Sequence, residues 1–380
     1  MHGLTNRGNI LQGISSSFNK LVSSLPNGYR VRRSDDIYAV DLFCGAGGLT
    51  RGLSEGGINV IAGFDSDELC AYPYETNTPS RFIKADVAEL SGRQVARMFP
   101  PSGIKLLAGC APCQPYSPLG RSKLATRRPE TALLWHFARI IREVRPHLVM
   151  MENVINMKSR AEYLQFKTSL QELRYGISVH EINSHKYGVP QLRKRLVVLA
   201  SIFGPVELIP PKEEKDGRPF VEDSIKTGLE ALSAGEVSRR DPLHRAKGLT
   251  PKNIKRIRAS RQGGTWHDWP RALQLECHKK KTGNRYVGVY GRMSWSSPAP
   301  TITTEFSNLG SGRFGHPEQD RAITPREAAL LQSFSTDYDF LQPGIPFSHE
   351  RVGRWIGNAV PVKVAWALAK SFRRHLDGRK

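Results

Sequence analysis

The sequence predicts an α/β protein: a doubly wound, mostly parallel sheet joined to a smaller, irregular, basic domain. Two observations carry this. After Asp36, short apolar runs alternate with helical stretches, the pattern of strand–helix units stacked into one sheet. Beyond Gly204 that alternation lapses. From Arg239 to Arg292 there are fifteen Lys and Arg against three Asp and Glu, interleaved with Trp266, Trp269, Tyr286 and Tyr290 and with few long apolar runs.

Each element has its own signal. YAVDLF (Tyr38 to Phe43) reads as a short buried strand, broken by Gly45, Gly47 and Gly48 into a helix running through Gly52. NVIAGFD is a second strand ending at Asp65, and RFIKADV a third ending at Asp86. IKLLAG (Ile104 to Gly109) is a fourth, stopping just before a turn-rich segment, GCAPCQPYSPLG. Leu133, Leu134, Phe137, Ile140, Ile141 and Val144 mark one face of a helix, and HLVMMENV follows as a fifth strand with Glu152 and Asn153 at its carboxyl end. LVVLASIFG closes this part. Near the C-terminus, Thr324, Pro325 and Glu327 form a helix start signal ahead of AALLQSF, and VPVKVAWALAKSF is a last amphipathic helix. Asp65, Asp86, Cys113 and Glu152 thus all follow strand carboxyl ends, where open α/β sheets place their ligand crevice.

Charge narrows the function. Of 380 residues, 56 are Lys or Arg and 35 Asp or Glu, a net +21. A chain this basic is suited to a polyanion, of which nucleic acid is the commonest. No run approaches eighteen apolar residues, so no membrane helix is expected. The five cysteines are odd in number and sparse, which argues for a reducing compartment. Cys110 and Cys113 form a C-x-x-C with no second Cys or His pair to complete a zinc site, so no metal is expected. The first 34 residues lack acids and are rich in Ser, Asn, Gly and Arg, reading as a basic disordered arm.

Local chemistry leaves alternatives open. The turn DLFCGAGG lets a ligand approach the backbone but lacks the dinucleotide spacing. Asp65 suits a ribose diol or a helix cap. Cys113, between Pro112 and Gln114, is a nucleophile or an inert small residue. In QLRKRL, Arg193 and Arg195 share a face of an extended segment, suited to a phosphate or a base carbonyl, or to solvent.

Taken in series, DLFCGAGG, GFDSDELCAYPYETN, ADV, APCQPYS, MENV, QLRKR, RAITPREAALLQSF and GNAVPVKV resemble the DNA (cytosine-5)-methyltransferase family of bacterial and phage restriction–modification systems, from Tyr38 to about Leu368. The resemblance implies the S-adenosylmethionine-dependent methyltransferase fold. It implies that S-adenosylmethionine is the cofactor, lined by Phe43, Gly45, Gly47, Ser66, Pro112 and Asn358, with Asp65 on its ribose and Asp86 on its adenine amine. Cys113 would be the nucleophile at carbon 6 of cytosine and Glu152 the group at N3. Arg195 would contact the base and Arg193 lie nearer the phosphates. Gln114, Ser117, Arg121, Thr301 and Thr303 would meet DNA, the loop from Ser117 to Arg128 closing over a flipped base. Ser66 stands where an apolar or aromatic residue of the family often packs on the adenine, and Cys110 and Ala111 replace the usual approach to PCQ.

The domains expected are an arm (1–36), a catalytic and cofactor-binding domain (37–204), a target-recognition domain (205–335) and a segment returning to the catalytic domain (336–380). Double-stranded DNA is the expected partner, met as a monomer in the cytoplasm, with a cognate restriction endonuclease as a further partner. An RNA cytosine-5 methyltransferase and a catalytically silent DNA-binding regulator are the competing readings. The large basic insert speaks against the first and the intact Cys113, Glu152, Arg193 and Arg195 against the second.

Overall fold

A computed structural model describes residues 36–112, 133–211, 217–280 and 287–378. The arm, Cys113, Gln114, Ser117, Arg121 and the rest of the segment to Ala132 lie outside the described residues.

Seven strands form one sheet: β1 (Ile37–Leu42), β2 (Asn59–Asp65), β3 (Arg81–Lys84), β4 (Ile104–Gly109), β5 (Leu148–Asn153), β6 (Gly176–Asn183) and β7 (Lys194–Ser201). Their order is β3-β2-β1-β4-β5-β7-β6. The first five pair in parallel, while β7 runs antiparallel between β5 and β6. The order reverses between β1 and β4, which is where a doubly wound sheet opens a crevice at its carboxyl edge. β1 and β5 carry near-continuous apolar runs because both faces are covered.

The helices are α1 (Gly48–Glu55), α2 (Ala71–Asn77), α3 (Gly92–Ala96), α4 (Leu133–Val144), α5 (Ala161–Glu172), α6 (Glu222–Ile225), α7 (Pro251–Ala259), α8 (Glu276–Lys279), α9 (Pro325–Leu331), α10 (His349–Asn358) and α11 (Val362–Asp377). On one face α4 and α5 bury Phe137, Ile140, Ile141 and Phe166 against Leu107, Val149 and Val198. On the other, α1 and α11 bury Leu49, Leu53, Val364, Leu368 and Phe372 against Ala39, Leu106 and Met150. The chain's last helix thus closes the same layer as its first.

The strand expectations hold for β2 and β4 to the residue. β1 stops one residue early because Phe43 takes φ 62°, which no strand accepts. β3 stops at Lys84, so Asp86 sits two residues into the following loop. The sequence reading missed β6, an edge strand whose half-buried residues show no clean alternation. It placed the last strand at Leu196–Gly204, whereas β7 starts two residues earlier.

The basic stretch does form an irregular module of short helices and turns. Its tryptophans are core: Trp266, Trp269 and Trp295 are all buried. Trp266 is stacked between His267 at 3.9 Å and His278 at 4.2 Å. Arg292 is also buried and ties Ser260, Ile257, His316 and Gln319 carbonyls and the Asp320 carboxylate together, replacing a strand ladder with one side chain. The boundary expected at residue 335 is not visible as a break in packing: Ala46 and Cys70 share an apolar cluster with Ile302, Phe306, Ala328, Phe334 and Ile356.

Candidate active site

The glycine-rich turn after β1 builds the floor of the site. Gly45 and Gly47 take φ 50° and 93°, a left-handed backbone that glycine adopts without a Cβ clash. Gly48 is held to glycine for a second reason, since a Cβ there would meet the Val360 carbonyl oxygen at 2.7 Å. The Gly45 N–H donates to Asp65 Oδ2 at 2.9 Å, and the Tyr338 hydroxyl donates to the Ala46 carbonyl at 2.5 Å. The turn is therefore braced from β2 and from the C-terminal third. Below it, Asp41 is fully buried and accepts from Thr50 Oγ1 at 2.8 Å; burial pushes its carboxyl up to about 7.

Above this floor lies a cavity of about 730 Å³. Phe43, Gly45, Asp65, Ser66, Asp86, Pro112, Glu152, Arg193, Arg195 and Asn358 all border it; of the described residues expected at the cofactor, Gly47 alone does not. Gly47 instead packs beneath the turn, where a Cβ would press on Tyr338, Thr78 and Tyr74. Asp65 accepts a second N–H, from Asp67 at 3.0 Å, and burial raises its pKa despite both bonds. Asp86 is exposed, with Oδ1 accepting from Ala88 N at 2.8 Å. Its loop is fastened to α4 by Arg139, which donates to the Leu90 carbonyl at 2.7 Å.

At the opposite wall, Glu152 is the last residue but one of β5 and is 6 % exposed. Arg195, one residue into β7, brings Nε within 3.0 Å of Glu152 Oε1. The antiparallel pairing of β5 with β7 creates this meeting, setting Leu196 opposite Asn153 and Val197 opposite Glu152. Next door, Asn153 Nδ2 donates to the Ala111 carbonyl at 3.1 Å, fixing the chain two residues before Cys113. Cys110 also borders the cavity; burial pushes its thiol up, with Glu152 adding to the rise.

Arg193 and the threonines differ from expectation. Arg193 is 2 % exposed and donates Nη1 to the Ile302 carbonyl and Nη2 to the Gly357 carbonyl, both at 3.1 Å. A phosphate has no free surface on it. Alternation along QLRKR explains why: Gln191 and Arg193 point inward as ties, while Leu192 and Lys194 are exposed. Gln191 receives the Ile302 N–H at 2.9 Å and donates to Gln332 Oε1 at 3.0 Å. Thr301 donates to the Leu192 carbonyl at 2.7 Å, and the Thr303 hydroxyl oxygen is buried with no partner among the described residues. The Thr301 hydroxyl proton is thus already committed, and the Thr303 hydroxyl is shut away from the surface. Residues 303 and 304 lie against α10, where a Cβ on Gly357 would meet the backbone of Thr303 at 2.5 Å.

Among the lining residues that sequence reasoning missed, three carry polar or aromatic side chains of note. Arg354 and Trp355 reach the cavity from the face of α10 that carries Asn358, and Arg354 pairs with Asp67 at 3.1 Å. The i, i+4 spacing of Arg354 and Asn358 was the available signal. His136 sits one turn after Leu133 on α4, also at the cavity; its Nδ1 is buried without a hydrogen-bond partner among the described residues. Burial first, then Arg139, lowers its pKa, so the ring is neutral at neutral pH.

One chamber thus joins an acidic, glycine-floored half to a carboxylate–guanidinium half beside Pro112. Comparison with known proteins bears on what it holds. The family model described as C-5 cytosine-specific DNA methylase matches residues 37–374. The type II methylase M.HgiDII of Herpetosiphon aurantiacus is 44 % identical over 342 residues, covering 89 % of this chain and 96 % of its own. The type II methyltransferase M1.BsuMI of Bacillus subtilis is 33 % identical over 364 residues, covering 88 % and 80 %. Among solved structures, the Entamoeba histolytica methyltransferase EhMeth superposes with a TM-score of 0.64 at 18 % identity, covering 91 % of this chain and all of its own, a likeness of fold.

Proposed function

Because the chain belongs to the C-5 cytosine-specific DNA methylase family, we propose that it methylates carbon 5 of a cytosine in a specific duplex sequence, using S-adenosylmethionine, base flipping and covalent catalysis through Cys113. The observation that carries this reading is the single chamber: Asp65 and Asp86 share it with Glu152, Arg195 and Pro112.

The chamber fits the cofactor. Its volume is that of a small-molecule site. Nothing lies within 4 Å of where a Cβ on Gly45 would project, and two carboxylates line the wall for hydroxyl and amine donors. When bound, S-adenosylmethionine supplies an electrophilic methyl group. The protein's task is to make carbon 5 able to receive it. The Cys113 thiolate bonds to carbon 6 of cytosine, and the electron pair of the 5,6 double bond moves to carbon 5 as an enamine. Glu152 faces the ring at N3, where negative charge accumulates, and shares a proton with that nitrogen, while Arg195 Nε, 3.0 Å from Oε1, holds the side chain in place. After transfer, loss of the carbon 5 proton restores the double bond and expels the cysteine. A stacked cytosine cannot reach this chamber, so the base is flipped out of the duplex.

Residues 205–335 serve target recognition and 336–380 complete the catalytic domain. We infer a monomer on DNA in the cytoplasm of a bacterial or phage-infected cell, paired with a restriction endonuclease. The test is to incubate the protein with genomic DNA and S-adenosylmethionine and read 5-methylcytosine at single-base resolution. A short recurring motif is expected for the wild type and none for Cys113→Ala, which retains DNA binding. Normal turnover by Cys113→Ala would remove the nucleophile assignment, and a mark on RNA alone would replace the substrate.

A further inference from the structure

Three buried arginines of the basic module are paired with acids, Arg321 with Glu327, Arg292 with Asp320 and Arg326 with Asp241, and a fourth, Arg256, is held by the Leu273 carbonyl, Asn253 Oδ1 and the Trp269 and Tyr290 rings. Two half-buried cations lie where the module meets the start of α10. The Arg245 guanidinium lies 4.3 Å from the centre of the Phe347 ring, and that ring stands edge-on to His349 at 4.8 Å. Lys247 donates to Asn308 Oδ1 at 2.5 Å, and Asn308 donates onward to Glu305. No carboxylate of the described residues comes within 4.0 Å of Arg245 or Lys247. Arg245 Nε and His349 Nδ1 are buried without hydrogen-bond partners among those residues. Burial and the two cations hold His349 down at about 4, so its ring is neutral and able to donate one N–H without adding repulsion. Glu350, the acid on the first turn of α10, is exposed and pairs with neither cation.

Two cations held beside unpaired ring and guanidine nitrogens repel one another unless an anion joins them. We propose that Arg245, Lys247 and His349 grip one phosphate of the DNA backbone near the target cytosine. This rests on the methyltransferase reading above. α10 fixes the distance: nine residues at 1.5 Å each separate His349 from Asn358 at the cofactor chamber, about 14 Å. A duplex turn is about 34 Å long, so the grip lies within one turn's length of the chamber. Asn308 follows, four residues on, the pair 303–304 that lies against α10, which couples phosphate capture to the placement of that segment.

The experiment measures equilibrium binding of the full chain to duplex DNA over a salt series, for wild type and for Arg245→Gln with Lys247→Gln. Loss of one phosphate contact is expected to reduce the slope of log K against log salt by about 0.9, with S-adenosylhomocysteine affinity unchanged. Lys247→Gln alone, which leaves Arg245 on Phe347, is expected to lower the slope in the same direction by less, and it decides the matter if the double variant does not fold. A wild-type slope retained in the folded variants overturns the phosphate grip alone. A wild type that binds no duplex overturns the grip together with the functional reading.

Discussion

Replacing Arg193 with alanine separates two uses of a guanidinium. In the structure its two terminal nitrogens hold the Ile302 and Gly357 carbonyls at 3.1 Å each, in a setting that leaves the residue 2 % exposed. Alanine strips a charge-assisted donor from each carbonyl and leaves both buried. At about 1.5–3 kcal/mol per such bond the loss is about 3–6 kcal/mol, a large part of the 5–15 kcal/mol typical of a folded domain. The loss is local first. Hydrogen exchange at the Ile302 amide, which is held by Gln191 Oε1, is expected to speed up before the sheet opens. Denaturant unfolding measures the size, exchange measures the place, and a salt series on duplex DNA measures the phosphate contribution. Arg193→Lys restores at most one of the two bonds, so it falls between. If Arg193→Ala keeps wild-type stability within about 1 kcal/mol and instead lowers the salt slope by about one, the residue is a phosphate contact and the structural argument fails.

Two further outcomes are expected. Glu327 is buried, where desolvation pushes its carboxyl up, but two 2.7 Å hydrogen bonds from Arg321 and its charge outweigh this and hold it down at about 2 from an ordinary 4.5. Its folded value being depressed, it stabilises the fold above pH 4.5 and that contribution, about 3 kcal/mol, is lost as pH falls toward 2; acid unfolding of Glu327→Gln should lack this component, and an identical acid profile would refute it. His136→Ala should weaken S-adenosylhomocysteine binding by about tenfold, one lost hydrogen bond or stacking contact at about 1–1.5 kcal/mol, as measured by calorimetry; unchanged affinity would mean the ring only lines the cavity.

The residues that were legible in the sequence are those whose partners are near in the chain or repeated by period. The capping box at Thr324 and Glu327 formed as its spacing indicated, because both bonds lie within four residues. β2 and β4 were legible because an apolar run of six or seven residues, too short for a helix and followed by turn residues, fits a strand covered on both faces. Asp65, Asp86 and Glu152 were legible as a group because strand ends converge on one edge in a parallel sheet. Arg193 was not. Its role is set by carbonyls 109 and 164 residues away, and a buried guanidinium between two carbonyls looks the same in sequence as one aimed at a phosphate. The same holds for the basic module, where Arg292 and Arg321 act as buried ties. Net charge counted every arginine as a candidate for DNA, whereas the structure divides them by whether an acid or a carbonyl has already claimed the guanidinium. That division makes Arg245 and Lys247 informative. Where Arg321, Arg292 and Arg326 are each matched by a carboxylate, Arg245 and Lys247, with none within 4.0 Å among the described residues, mark where an anion from outside belongs.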